Sequence, residues 1–203
     1  MKRFLALFVL IVASASAHAE APVILVFGDS ISAGYGLPLE QGWVELLRTR
    51  LKAQGYGYQV VNASVSGETT AGGLARLPRA LELHHPSIVI LELGGNDGLR
   101  GLPIAQMRTN LTQMTSSSTA AGAKVLLLGM RMPPNYGPEY TKQFAMVFSD
   151  LATEKKISSV PFLLTDIALS PALLQADDIH PNAQGQPILL DNVWPALKPL
   201  LHK

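Results

Sequence analysis

The chain of 203 residues carries 16 Lys and Arg against 15 Asp and Glu, a formal net charge of +1 that offers no basic surplus for nucleic acid. It contains no Cys, which excludes disulfide staples, a thiol nucleophile and a lipid anchor on an N-terminal cysteine. Stability must therefore come from packing.

Lys2 and Arg3 precede an apolar run over residues 4–13, and small residues follow it, ending in Ala17-His18-Ala19. This is the three-part layout of a secretory signal, with cleavage expected after Ala19 and the mature chain bound for the periplasm or for secretion. The run is shorter than the roughly 20 residues a membrane helix needs, and no later stretch is long and apolar enough, so no integral membrane segment is expected after cleavage. Loss of Lys2 and Arg3 lowers the formal charge by two, to −1. Residues 20–203 remain, enough for one domain with a full core.

Short apolar runs at 23–27, 58–62, 88–93 and 124–130 read as buried strands, with a weaker one at 160–163. Helical patterns occupy 43–54, 71–83, 104–121 and 139–155, then a last segment over 182–200. Pro187 and Pro195 interrupt that last segment and predict a late start or a kink. There is no internal repeat, low-complexity tract or linker. Strands spaced by helices, and runs such as "IVILEL" and "KVLLLGM" that are apolar at nearly every position, fit a mainly parallel sheet buried on both faces. The expected fold is α/β: a three-layer α/β/α sandwich with a flavodoxin-like sheet.

In such a sheet every strand delivers its following loop to the same carboxyl edge, where ligands bind. Ser30 in "VFGDSIS" follows the first strand, Gly67 in "NASVSGETT" the second and Asn96 in "LGGNDGLRG" the third. Near the other end, "ADDIHPN" places Asp177 three residues before His180, within reach of one turn. Serine, imidazole, carboxylate and extra hydrogen-bond donors are the parts that acyl transfer requires. Each part has a plainer reading: Gly-Asp-Ser and Gly-Gly-Asn-Asp are also turn sequences, Gly67 a turn glycine, Asp177 a cap and His180 a loop histidine. Elimination favours His180 as base, because His18 leaves with the signal, His84 and His85 fall at a helix end and His202 lies in the tail.

The set Gly28-Asp29-Ser30, Gly67, Gly94-Gly95-Asn96-Asp97 and Asp177-Asp178-Ile179-His180 resembles the SGNH, or GDSL, hydrolases, with the four blocks in that family's order. "FGDSISAGYGL" and "NASVSGETTAGGLARL" are similar to its bacterial periplasmic branch of multifunctional thioesterases, lysophospholipases and arylesterases. The resemblance implies Ser30 as nucleophile, His180 as base and Asp177, rather than the rival Asp178, as its orienter. It also implies an oxyanion hole from the Ser30 and Gly67 N–H groups and the Asn96 amide. Asp97 is expected to be structural.

The resulting expectation is a serine esterase acting on acyl esters, thioesters or lysophospholipids, monomeric, with no cofactor, no metal and no nucleic-acid partner. Ile31, Leu99, Leu102, Tyr136 and Ile179, with Leu37, Met130 and Met132, are the expected lining of an acyl groove. The glycine-bearing segment 98–103 is expected to close over the chain. A carbohydrate or peptidoglycan O-deacetylase, a metal site on Asp177, Asp178 and His180, and a flavodoxin-like binding protein without chemistry are the alternatives.

Overall fold

The computed structural model describes residues 21–203; the expected signal segment and its cleavage point lie outside these residues. Five strands, β1 (Val23–Gly28), β2 (Gln59–Asn62), β3 (Ile88–Glu92), β4 (Lys124–Leu128) and β5 (Ser158–Val160), form one sheet in the order β2-β1-β3-β4-β5. All four pairings are parallel. Among the described residues seven α-helices lie between and after them: α1 (Ser30–Ala33), α2 (Trp43–Ala53), α3 (Thr70–His84), α4 (Gly95–Leu99), α5 (Ile104–Ala120), α6 (Pro138–Lys155) and α7 (Gln186–Leu197). Packing of α2 with α7, and of α3 with α5 and α5 with α6, places two groups of helices against the sheet. This is the expected three-layer sandwich.

The strands form where β-branched and leucine side chains are buried on both faces. Ile24, Leu25, Val26 and Phe27 of β1 are all fully buried, and each such side chain contributes about 1.5–3 kcal/mol relative to exposure. The helices carry one buried stripe each; in α2 it is Trp43, Val44, Leu47 and Leu51, at helical spacing. Thr69 starts α3 by accepting a hydrogen bond from the Gly72 N–H.

One boundary differs from the sequence reading, and the last helix takes the late start that its prolines predict. The fifth strand is Ser158–Val160 rather than 160–163, because Pro161 has no N–H to continue the ladder. The polar Ser158 and Ser159 belong to the strand only through pairing with Leu126 and Leu127. The last helix starts late, at Gln186 with Pro187 in its first turn, where a missing N–H costs nothing, and it accommodates Pro195 inside.

The strand order reverses between β1 and β3. The first crossover leads outward from β1 to β2, and the chain then returns past β1 to build β3, β4 and β5 on the other side. A crevice opens at such a switch point, outside the carboxyl ends of the strands. The loops after β1 and β3, which carry Ser30 and Asn96, flank it.

Candidate active site

β1 ends at Gly28, whose register partner on β3 is Glu92. A Cβ at Gly28 would lie 2.6 Å from Glu92 Oε2, so only glycine fits this strand end. Asp29 caps α1, its Oδ1 accepting from the Ile31 N–H at 3.1 Å. Ser30 is thereby the first residue of α1, and its N–H belongs to a first turn that has no intrahelical acceptor.

The partner of Ser30 arrives from the far end of the chain. Residues 174–181 fold back on themselves through a bridge between Leu174 and Pro181 and a Gln175 N–H bond to the His180 carbonyl. At the tip, Asp177 Oδ1 accepts from the N–H groups of Ile179 and His180, both at 3.0 Å, in an Asx turn. Asp178 takes a left-handed φ of 58°, which aspartate tolerates. His180 Nδ1 lies 2.6 Å from Asp177 Oδ2, and its Nε2 lies 2.7 Å from Ser30 Oγ. A proton on Nδ1, held by the carboxylate, leaves Nε2 as an acceptor for the serine hydroxyl. It is Asp177, and not Asp178, that meets the imidazole.

Burial pushes the Asp177 carboxyl upward, but the hydrogen bonds from the His180 N–H, the His180 ring and the Ile179 N–H outweigh it and hold the group at about 2.

Gly67 has a φ of 77°, a conformation that favours glycine, and its N–H makes no hydrogen bond among the described residues. Its carbonyl is held by Arg100 Nη2 at 2.8 Å. Asn96 donates from Nδ2 to Asp29 Oδ2 at 3.1 Å, which fixes the amide plane and leaves the second amide hydrogen free. The geometry brings together a hydroxyl, an imidazole and a carboxylate, with the Asn96 amide tied to Asp29 next to Ser30.

The pattern described as the GDSL-like lipase/acylhydrolase family matches residues 26–188. The chain belongs to this family. It is 54% identical over 184 residues to the esterase TesA of Pseudomonas aeruginosa, covering 91% of this chain and 92% of that protein. It is 41% identical over 184 residues to the thioesterase 1/protease 1/lysophospholipase L1 of Escherichia coli strain K12, covering 91% and 87%. A crystal structure of TesA superposes with a TM-score of 0.87 at 55% identity, over 88% of this chain and 99% of that one.

Within this GDSL-type scaffold the sequence reading missed two buried acids. Glu92 is fully buried at the end of β3, accepting from Ser32 Oγ at 2.7 Å and from the Asp29 N–H at 3.3 Å, with its other oxygen unpaired. Burial first, then the neighbouring Asp29 charge, pushes Glu92 well above the usual carboxylate range. Asp29 is raised to about 6, burial outweighing its hydrogen bond from Ile31, the His180 charge and its bonds to Asn96 and Glu92. The visible signal was a charged residue inside the apolar run "IVILEL". Tyr35 was missed as well; its ring centroid lies 4.7 Å from that of His180, and Gln175 Nε2 holds its carbonyl at 2.8 Å. Asp97 is structural, accepting from the Thr70 N–H and hydroxyl at 2.8 and 2.5 Å.

Of the expected groove residues, Leu102 and Ile179 are 38% and 42% exposed, as Tyr35 is at 53%, so the rim presents apolar surface. Leu99 and Tyr136 are half-buried and bonded to each other, Tyr136 Oη to the Leu99 carbonyl at 3.2 Å. Leu37 is also half-buried. Ile31, with 6% exposed, is packed into the core, as are Met130 and Met132, and Ile31 offers almost no surface to a substrate. Gly98, in the segment expected to close over the chain, sits inside α4, where a Cβ would run into Met132 Sδ and lie 2.7 Å from Phe144 Cε2. Among the described residues no helix is long and apolar enough to cross a membrane.

Proposed function

We propose that the chain is a serine esterase that hydrolyses acyl esters and thioesters, lysophospholipids among them, through an acyl-enzyme. The observation that carries this reading is the unbroken hydrogen-bonded line from Ser30 Oγ through His180 to Asp177. Ser30 Oγ attacks the carbonyl carbon while its proton passes to His180 Nε2, and Asp177 stabilises the imidazolium. The negative charge that appears on the carbonyl oxygen meets the N–H groups of Ser30 and Gly67 and the free amide hydrogen of Asn96. His180 then protonates the leaving group, and a water molecule, deprotonated by the same imidazole, releases the acid.

Membership of the family, and the names of the relatives, support ester hydrolysis, and the apolar rim favours acyl chains over acetylated sugars. In this reading residues 20–203 form one monomeric domain, exported after cleavage behind Ala19. Aryl esters of increasing acyl length test the assignment. Ser30→Ala abolishes turnover on all of them, and Asn96→Ala lowers kcat by on the order of 10²–10³ while the fold persists. Serine-independent turnover sinks the mechanism. A sharp preference for acetyl would point to the deacetylase reading instead.

A further inference from the structure

Tyr35 is tied to the reacting groups at three points. Its N–H donates to the Ser30 carbonyl at 3.0 Å, just beyond the end of α1. Its carbonyl accepts from Gln175 Nε2 at 2.8 Å, on the loop that aims His180. Its ring lies against the imidazole, with the centroids 4.7 Å apart and the planes inclined by 42°. The residue that follows leaves the loop little freedom to move away, because a Cβ on Gly36 would run into Gln175 Oε1. Tyr35 is nevertheless exposed, as is Ile179 beside His180 in the chain. One part of the side chain covers the imidazole, and the rest faces solvent at the rim of the site.

The chemistry of the leaving group decides what passes over that face. In the tetrahedral intermediate the former carbonyl carbon carries Ser30 Oγ, the oxyanion, the acyl carbon and the leaving oxygen. On collapse the bond from carbon to leaving oxygen breaks, and His180 Nε2 gives that oxygen the proton it took from Ser30. The leaving oxygen must therefore come within about 3 Å of Nε2, the atom that lies 2.7 Å from Ser30 Oγ. The acyl carbon has no such obligation. Whatever hangs from the leaving oxygen then lies alongside the imidazole, where the Tyr35 ring is packed. A planar aromatic group gains an offset or edge contact with that ring, which a small alkyl group does not.

We propose that Tyr35 is a specificity-determining residue that selects esters by their leaving group, favouring phenols over small alkyl alcohols, and that it leaves the choice of acyl chain to other residues. The inference deepens the esterase reading above and rests on it.

The test compares phenyl butyrate with ethyl butyrate in the native enzyme, Tyr35→Ala and Tyr35→Phe, and reads the ratio of kcat/KM for the phenyl over the ethyl ester. Both esters draw on the same folded sites, so the ratio does not depend on how much of a variant is folded. Tyr35→Ala lowers it by about fivefold. Tyr35→Phe keeps the ring and returns the ratio to the native value. Across phenyl acetate, butyrate and hexanoate, the dependence on acyl length is the same in Tyr35→Ala as in the native enzyme. An equal fall in kcat/KM for both butyrates would mean that the ring only steadies the imidazole, and it overturns the proposal. So does a ratio as low in Tyr35→Phe as in Tyr35→Ala, or an acyl-length profile that shifts with the substitution. These results leave the esterase reading intact. Native enzyme that hydrolyses neither butyrate, or hydrolysis that survives Ser30→Ala, overturns that reading itself.

Discussion

Glu92 and Asp29 sit back to back beneath Ser30, and they make opposite demands on pH from Asp177. A carboxyl raised in the folded state contributes stability that is full below its unfolded value and is lost as pH rises through the folded one. For Glu92 the ordinary value is 4.5, and burial with the Asp29 charge lifts it well above that, so the native protein loses stability on the alkaline side. Asp177, held at about 2 against an ordinary 3.8, loses its contribution only as the solution becomes strongly acidic. Glu92→Gln keeps the shape and cannot ionise. Its melting temperature relative to the native protein therefore climbs as pH rises above the ordinary carboxylate value of 4.5. A difference that stays flat as pH rises would show that the Glu92 carboxyl is no harder to ionise in the fold than in the unfolded chain.

At the scale of elements, α4 is the piece most closely fitted to its neighbours. It follows Gly94, holds Asn96, and is pinned by two tyrosine hydroxyls from the β4–α6 side. Gly98→Ala drives a methyl group against Met132 and Phe144, and overpacking of that kind costs about 1–3 kcal/mol. Denaturant unfolding of the variant reads this loss directly, and a stability equal to native would mean that Met132 simply swings away. The long strands and helices were legible in the sequence because their apolar runs and stripes are local features. α1 and α4 were not, since Gly-Asp-Ser and Gly-Gly-Asn-Asp spell turns as readily as one helical turn. β5 is strand only by virtue of its neighbour β4. Ser30 and Asn96 could be placed on one edge because each follows a predicted strand, whereas Asp177 and His180 joined them through their spacing and the family resemblance. Asp29, Glu92 and Tyr35 matter through contacts across the sheet and between distant loops, which no spacing in the sequence encodes.

For the molecule as a whole, the reacting groups are separated by 150 positions along the chain and joined only by the fold. Three further ties span the same gap. Gln175 Nε2 bonds the Tyr35 carbonyl, buried Gln186 accepts from the Trp43 N–H at 2.9 Å, and Arg50 pairs with Asp191 across α2 and α7. Gln186 also donates to the Pro181 carbonyl, so the turn that aims His180 is fastened to the start of α2. Opening that turn leaves buried groups on both sides unpaired, at roughly 1–3 kcal/mol each. Local release of His180 is therefore expected to cost nearly as much as unfolding the α2–α7 layer with it. In a urea titration, ester hydrolysis, helical circular dichroism and the fluorescence of Trp43 and Trp194 should fall together in one transition with a common midpoint. Activity that disappears at clearly lower urea than the spectroscopic signals would mean that residues 174–181 detach on their own, and that the chain is not a single cooperative unit.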